Sequence, residues 1–200
     1  MEAVSYLNVM DPMPYETIAA ADVPHRLSMS GIYELPLGRG RKFFPGASGL
    51  ASALLSGWQL SVIYLLQSGM PLNFGNIVFQ GDIHNIPLPA AQRTVDRWFN
   101  TAAGFLRDSS QALDMNLRAF PLRFSGIRGP RPNNWDMSLL KNSKIGERIT
   151  VQFRGEFLNA MNRPWFQAPN TDPYNAGNFG RITGEYGYPR RIQLGVKLIY

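Results

Sequence analysis

Two histidines with an aspartate close by are the residues of this sequence that could bind a metal ion. Asp22 stands three positions before His25, and Asp82 stands two positions before His84. Neither pair has the i, i+4 helical spacing or the glutamate of an HExxH zinc site. The chain has no cysteine, which excludes thiolate metal sites, cysteine nucleophiles and disulfides. We therefore expect turn-starting aspartates and surface histidines, with no metal site and no cofactor.

Residues 38–42 (GRGRK) combine glycines with basic side chains, as phosphate-binding loops do. They lack the GK[ST] ending and a following helix with clear periodicity, so we interpret them as a basic turn at a membrane surface. The net charge of +6 would also suit nucleic acid. Because the basic residues are spread along the chain without a nucleic-acid-binding motif, we expect no nucleic-acid partner.

Four charged residues are predicted to face the same side of neighbouring strands and could form a catalytic carboxylate system. They are Asp136, Arg154, Glu156 and Lys197. No Gly-x-Ser-x-Gly nucleophile elbow accompanies them. A charge network on the lumen side of a barrel, which tunes packing or conductance, explains them better. We expect no catalytic residue and no enzymatic activity.

The elements that would position these residues are five segments in which apolar and polar side chains alternate with period two, as in β-strands. They span residues 25–35, 58–74, 134–141, 149–160 and 190–200. In each segment the outward set is apolar, apart from Arg190 at one rim, and the inward set is mostly Ser, Gln, Arg, Glu, Asp and Thr. Such inward sets suit a watery interior, although a soluble sandwich with its apolar face packed inward gives the same alternation.

The last segment, residues 190–200, carries the strongest membrane signal. Its outward set is Arg190, Ile192, Leu194, Val196, Leu198 and Tyr200. Tilted by about 45°, a strand of this length rises roughly 25 Å, the height of the apolar band of an outer-membrane barrel. A one-residue slip would bring Arg191 and Lys197 into lipid, where a charge costs about 2–4 kcal/mol at the midplane. The segment therefore predicts a transmembrane β-strand in a fixed register.

The composition favours strands over helices as membrane-spanning elements. The longest apolar stretch, residues 58–66, has less than half of the ~20 residues that a membrane helix needs. Charged residues are 17% of the chain, which is low for a soluble surface. The first ten residues lack the basic region and apolar core of a secretory signal. Since an exported barrel needs such a signal, we expect the chain to be a piece of a longer protein.

The lengths of the connections give the strands an orientation. Residues 142–148 form a short turn, whereas residues 75–133 and 161–189 are long connections. With the C-terminus in the periplasm, both long connections become extracellular loops and the short one a periplasmic turn, as outer-membrane barrels require. Residues 36–57 are long for a periplasmic turn, and we expect a short helix at 49–55 within them.

Aromatic residues near the strand ends support the same orientation. Tyr33, Trp58 and Tyr200 fall near the periplasmic ends, while Trp135 and Phe157 fall near the extracellular ends. Because such rings prefer the two membrane–water interfaces, we predict an aromatic girdle at each.

Several phrases of the sequence, in the right order, resemble the late barrel of Oar-like TonB-dependent receptors, which belong to a carboxypeptidase-regulatory-like family. They are HRLSMSGIYELPLGRGR at 25–41, GWQLS at 57–61, QSGMPL at 67–72, RWFN at 97–100, NWDMSL at 134–139, FRGEFLNA at 153–160 and FGRIT at 179–183. The barrel-assembly signal of that family reads polar-x-Gly-x-x-apolar-x-aromatic. Gln193, Gly195, Leu198 and Tyr200 match it, with tyrosine where phenylalanine is commoner.

This resemblance implies an all-β fold, the C-terminal portion only, about five to seven strands, of an antiparallel transmembrane β-barrel of about 22 strands with a plugged lumen. Residues 1–24 would hold a loop and the end of a preceding strand, and residues 25–200 the barrel segment. The implied protein is a receptor and transporter of the bacterial outer membrane. Its implied partners are outer-membrane lipid, the barrel-assembly machinery and the remainder of the barrel and plug, with TonB reached only through N-terminal parts outside this sequence.

A soluble all-β module that binds carbohydrate or another anionic ligand is the alternative, with Trp98, Trp135 and Trp165 as stacking rings. It predicts a monomer that folds and melts cooperatively without detergent. Neither hypothesis specifies a substrate. Residues 79–89 and 169–178 are the loop tips that we expect to touch a ligand.

Overall fold

The structure is a computed structural model that describes residues 10, 12–13, 15–111 and 120–200. The strands are β1 (Arg26–Glu34), β2 (Trp58–Gln67), β3 (Asn133–Ile145), β4 (Ile149–Leu158), β5 (Trp165–Phe166), β6 (Glu185–Tyr186) and β7 (Arg191–Ile199). The helices are α1 (Gly49–Leu55) and the short 3₁₀-helices Ile83–Asn85, Ala90–Gln92 and Ser109–Gln111. Within the described ranges, no helix has the length and apolar character needed to cross a membrane.

The five predicted strands are confirmed as β1, β2, β3, β4 and β7, and the predicted helix is confirmed as α1. Two strand ends differ from the prediction. β2 ends at Gln67 rather than at residue 74. Beyond this end, Pro71, which has no N–H for a ladder, forms only an isolated bridge with Arg128. β3 continues to Ile145, so the predicted turn at 142–148 shrinks to residues 146–148.

The five long strands form one antiparallel sheet in the order β1-β2-β3-β4-β7. For β1 and β2, the N–H of Leu35 donates to the carbonyl of Trp58, and the N–H of Ser68 donates to that of His25. These opposite pairings identify β1 and β2 as antiparallel. β5 and β6 form a separate two-stranded sheet, and β7 pairs with β4.

The cross-strand register produces one apolar and one mostly polar face. Apolar rows are Tyr64–Trp135, Val62–Met137–Phe157–Ile192 and Leu60–Leu139–Gly155–Leu194. Polar rows include Ser61–Ser138–Glu156–Gln193 and Asn142–Gln152–Lys197. The predicted alternation is therefore correct in phase, and the apolar side chains are open to the surroundings: Leu194 is 84% exposed.

Lys141 corrects the prediction that the outward sets are apolar. It pairs with Trp58 on one side and Phe153 on the other, so it lies on the apolar face. Ser143 follows it on the same face, opposite Val151. Lys141 has the outward phase of its own predicted segment, and the extension of β3 past residue 141 adds Ser143 to the same face.

The chain divides into two compact units. The sheet unit consists of Arg26–Leu66, Asn133–Pro164 and Gly187–Tyr200. The loop unit consists of Gln67–Pro132 and Trp165–Tyr186, with the segment up to His25, in the ranges that the structure describes. Residues from both predicted extracellular loops thus belong to one unit.

A phenylalanine-rich core holds the loop unit together. Its buried members are Leu72, Phe74, Ile77, Ile86, Phe99, Phe105, Phe120, Ile127 and Phe179. The ring of Phe105 lies 5.0 Å from that of Phe179 and 5.5 Å from that of Phe74, so residues from both loops meet in this core. Each buried phenylalanine contributes about 1.5–3 kcal/mol, which gives these connections a stabilising core with little regular secondary structure.

Candidate functional site

The predicted girdle residues all fall on the apolar face of the sheet. Trp58, Trp135 and Phe157 take this position from their register, and Tyr33 takes it from the hydrogen bond between Leu35 and Trp58, which sets Tyr33 opposite Leu60. Tyr200 follows β7 in the phase of the outward set and is fully exposed.

These aromatics are divided between the two ends of the sheet. Trp58 begins β2, and Tyr200 follows the end of β7, near the short turn at residues 146–148. Trp135 lies toward the opposite end, where its ring centroid is 4.2 Å from that of Tyr64. Tyr64 therefore adds an aromatic that the girdle prediction omitted, although its place in the alternation of β2 indicated it. Contact of these rings with lipid stays a prediction.

The polar face holds a chain of hydrogen bonds that differs from the predicted charge network. Arg154 forms an ion pair with Glu156 at 3.3 Å and donates to Gln152 at 3.2 Å. Gln152 donates in turn to the side-chain oxygen of Asn142 at 2.9 Å. Both charged groups of the ion pair are substantially exposed, so the pair itself contributes about 0–1 kcal/mol.

The other two predicted members of the network have different neighbours. The carboxylate of Asp136 accepts the backbone N–H of Asn159 at 2.8 Å, and Lys197 lies opposite Gln152 in the register. The structure therefore brings Arg154 and Glu156 together directly and uses Asp136 to hold the end of β4. The role of these residues in a lumen stays a prediction.

Asn159 is a structural residue that sequence reasoning missed. It is 6% exposed, has a left-handed backbone with φ of 49°, and directly follows β4. Its side-chain nitrogen donates to the carbonyls of Arg163 and Tyr188 at 3.0 and 3.2 Å, and its side-chain oxygen accepts the N–H of Arg163 at 2.9 Å. This residue thus fixes the end of the sheet from which the long connection to β7 departs.

The residues of the predicted assembly signal divide between the two faces of β7. Gln193 and Gly195 lie opposite Glu156 and Arg154 on the polar face, whereas Leu198 lies opposite Val151 on the apolar face. Every residue of β7 is exposed, and β7 is an edge strand of this sheet. A lipid environment makes an unpaired strand edge costly, because its backbone groups find no water.

The aspartates of the two Asp–His pairs have structural partners. The carboxylate of Asp22 forms an ion pair with Arg128 at 2.5 Å, and Arg128 also donates to the carbonyl of Gly69. Asp82 accepts the N–H of His84 at 2.9 Å and caps a 3₁₀-helix, as expected of a turn-starting aspartate. Across the described residues, no group of three potential metal ligands was found.

The basic segment at residues 38–42 is confirmed as a turn. The N–H of Gly38 donates to Phe43, and the N–H of Gly40 donates to Pro45. Both glycines have a positive φ, which suits such a compact turn.

The predicted loop tips both lie in the loop unit. A cavity of about 420 Å³ opens at the first tip, lined by Phe79, Gly81, Asp82, Ile83, His84, Phe120 and Pro121. In the second tip, the hydroxyl of Thr171 donates to the carbonyl of Asn73 at 2.6 Å, which ties this tip to the first loop. Contact of either tip with a ligand stays a prediction.

The three tryptophans of the alternative hypothesis do not share one surface of a single unit. The indole of Trp98 donates to the carbonyl of Arg128 in the loop unit, where Trp165 forms part of β5. Trp135 belongs to the sheet unit and packs on Tyr64. Ligand binding by these rings stays a prediction.

Comparison with known proteins identifies a family for this chain. A family model described as an outer membrane β-barrel domain matches residues 5–193. No curated protein and no solved structure matches the chain. The match covers nearly the whole chain, and it does not separate Oar-like TonB-dependent receptors from other outer-membrane barrels.

Proposed function

Since this chain belongs to the outer membrane β-barrel domain family, we propose that it forms the C-terminal wall of an Oar-like, TonB-dependent receptor in the bacterial outer membrane. The observation that carries the proposal is the largely apolar face across β2, β3, β4 and β7, which is interrupted at Lys141 and Ser143 in β3 and backed by a mostly polar face. Lipid on one side and a wet lumen on the other stabilise this arrangement.

The energetics of the exposed apolar residues favour a membrane over water. Leu194, Val196 and Leu198 are 84%, 65% and 64% exposed. Monomeric soluble proteins rarely expose contiguous apolar patches larger than a few hundred Å². In a barrel wall the same side chains contact acyl chains, so their exposure is favourable.

The receptor assignment is supported by the ordered phrases that resemble Oar-like barrels and by the folded loop unit. A loop unit with its own aromatic core suits an extracellular surface that meets ligands. The proposed role involves no catalysis. The proposed partners are outer-membrane lipid, the barrel-assembly machinery, and the remaining barrel and plug, through which TonB would act.

Outer-membrane assembly tests the proposal. Expressed with a signal peptide and the remainder of the proposed barrel, the protein should fractionate with outer membranes and migrate as a heat-modifiable band. Leu198→Asp places a charge on the apolar face, and Ile199→Asp places the same charge on the polar face, opposite Thr150. We expect the first variant and the deletion of Tyr200 to lose the folded band, and the second to retain it. Equal assembly of all these proteins would contradict the proposal.

A further inference from the structure

A groove of about 640 Å³ lies on the apolar face of the sheet unit. Side chains of α1 and of four strands line it, including Leu54, Leu139, Phe153, Leu194 and Val196. The lining is predominantly apolar, and its volume falls in the range of about 300–1,000 Å³ that small-ligand sites have. The groove can therefore hold a flexible hydrocarbon chain.

A second, smaller pocket of about 390 Å³ adjoins this groove. Ser52, Ser56, Lys144 and Thr150 contribute to its lining. The pocket shares Ala53, Lys141 and Ser143 with the groove. An apolar channel and a pocket rich in hydroxyl and ammonium groups thus meet at Lys141.

Lys141 has the features of an anion-binding group. It is 7% exposed, and its ammonium donates to the carbonyl of Asn142 at 3.2 Å and to the hydroxyl of Ser143 at 3.1 Å. In the described part of the chain, no carboxylate forms an ion pair with it. An ammonium has three donors, and a buried charge that only neutral groups solvate is costly. An anion beside Lys141 would supply both the third acceptor and the counter-charge.

The helix next to the groove favours a lipid over a soluble anion. Leu50 and Leu54, four residues apart on one face of α1, are 84% and 69% exposed. The indole of Trp58 donates to the carbonyl of Leu54 at 2.8 Å and so attaches α1 to the sheet. Exposed leucines beside an interfacial tryptophan are typical of a short helix that lies at a membrane surface.

We propose that this site binds one anionic phospholipid, with its phosphate in the smaller pocket beside Lys141 and Lys144 and an acyl chain in the groove. The proposal rests on the proposed membrane orientation, in which the turn at residues 146–148 faces the periplasm. The phosphate then lies at the headgroup level of the inner leaflet. The bound lipid neutralises Lys141 and fills the space between α1 and the sheet.

Native mass spectrometry of the detergent-purified protein tests this site, with added phosphatidylglycerol or phosphatidylcholine as the probes. We expect about fivefold tighter retention of phosphatidylglycerol, since one lysine near anionic lipid contributes about 1 kcal/mol. Lys141→Met should reduce the preference to within about twofold, whereas Lys141→Arg should keep it. Lys197→Met removes the same charge from the polar face and should leave the preference unchanged.

A substitution at Gly155 tests the groove separately from the headgroup pocket. A Cβ atom at position 155 would lie 3.6 Å from the side chain of Phe157 and 3.7 Å from that of Leu194, which are ordinary van der Waals contacts. Gly155→Leu should occupy the groove and weaken retention of both lipids, which separates acyl-chain binding from headgroup binding. Heat-modifiable migration checks that each variant has folded, and it also tells a failed barrel from a failed lipid site.

Three results would overturn the proposal. The first is equal retention of both lipids by the unmodified protein, and the second is an unchanged preference in folded Lys141→Met. The third is full competition by inorganic phosphate alone, which would identify a free-phosphate pocket instead of a lipid site.

Discussion

Replacing Asn159 should destabilise the end of the sheet from which the long connection to β7 begins. Asn159→Ala removes three side-chain hydrogen bonds, which together contribute about 3 kcal/mol. The left-handed backbone at position 159, with φ of 49°, is also unfavourable for alanine by about 1–2 kcal/mol. We therefore expect the free energy of unfolding in detergent micelles to fall by about 4 kcal/mol, measured by urea titration with tryptophan fluorescence.

Two further variants separate these contributions. Asn159→Gly tolerates the positive φ, so it should recover about 1 kcal/mol relative to alanine. Asn162 has the same φ of 49° but is exposed, and its side chain accepts one hydrogen bond, from Arg190. Asn162→Ala should therefore cost about half as much as Asn159→Ala. The reasoning is refuted if the two alanine variants lose equal stability, or if Asn159→Gly is as stable as the unmodified protein.

Two other perturbations address the loop unit. Phe99 is fully buried, so Phe99→Ala should lower the free energy of unfolding by about 3–5 kcal/mol and speed hydrogen exchange throughout that core. Faster exchange confined to residue 99 and its neighbours would contradict a shared core. Arg128→Met removes the ion pair with Asp22 and the bond to Gly69, and it should lower the melting temperature clearly, whereas Arg131→Met at an exposed position should not.

The strands were predictable because their information is local. The alternation of residues 190–200 fixed both the face and the register of β7, and the same pattern gave β1, β2, β3 and β4 to within a few residues at most ends. The extent of a turn depends less on the local sequence. Whether residues 142–145 turn or pair depends on the partners in β4, which no alternation within β3 reveals.

The loop unit and the polar groups depend on contacts between distant residues. The rings of Phe105 and Phe179 are in contact although 74 positions separate them, and no periodic pattern in either loop predicts this contact. Asn159 reads in the sequence as one polar residue after a strand. Its burial depends on the carbonyl of Tyr188, which lies 29 positions later in the chain and accepts a hydrogen bond from the Asn159 side chain. Lys141 is the last residue of the predicted segment, and its place within β3 follows only from the continuation of that strand to Ile145.

The central claim is that the apolar face of the sheet contacts lipid, and a charge placed at Leu194 tests it most directly. Leu194 is 84% exposed and sits near the middle of β7, so Leu194→Arg removes little packing within the protein. Gln193→Arg, on the polar face opposite Glu156, is the matched control. In lipid vesicles we predict that Leu194→Arg lowers the free energy of unfolding by about 2–4 kcal/mol and that the control changes it by about 0.5 kcal/mol or less. A neutral or stabilising effect of Leu194→Arg would show that this face meets water and would contradict the account.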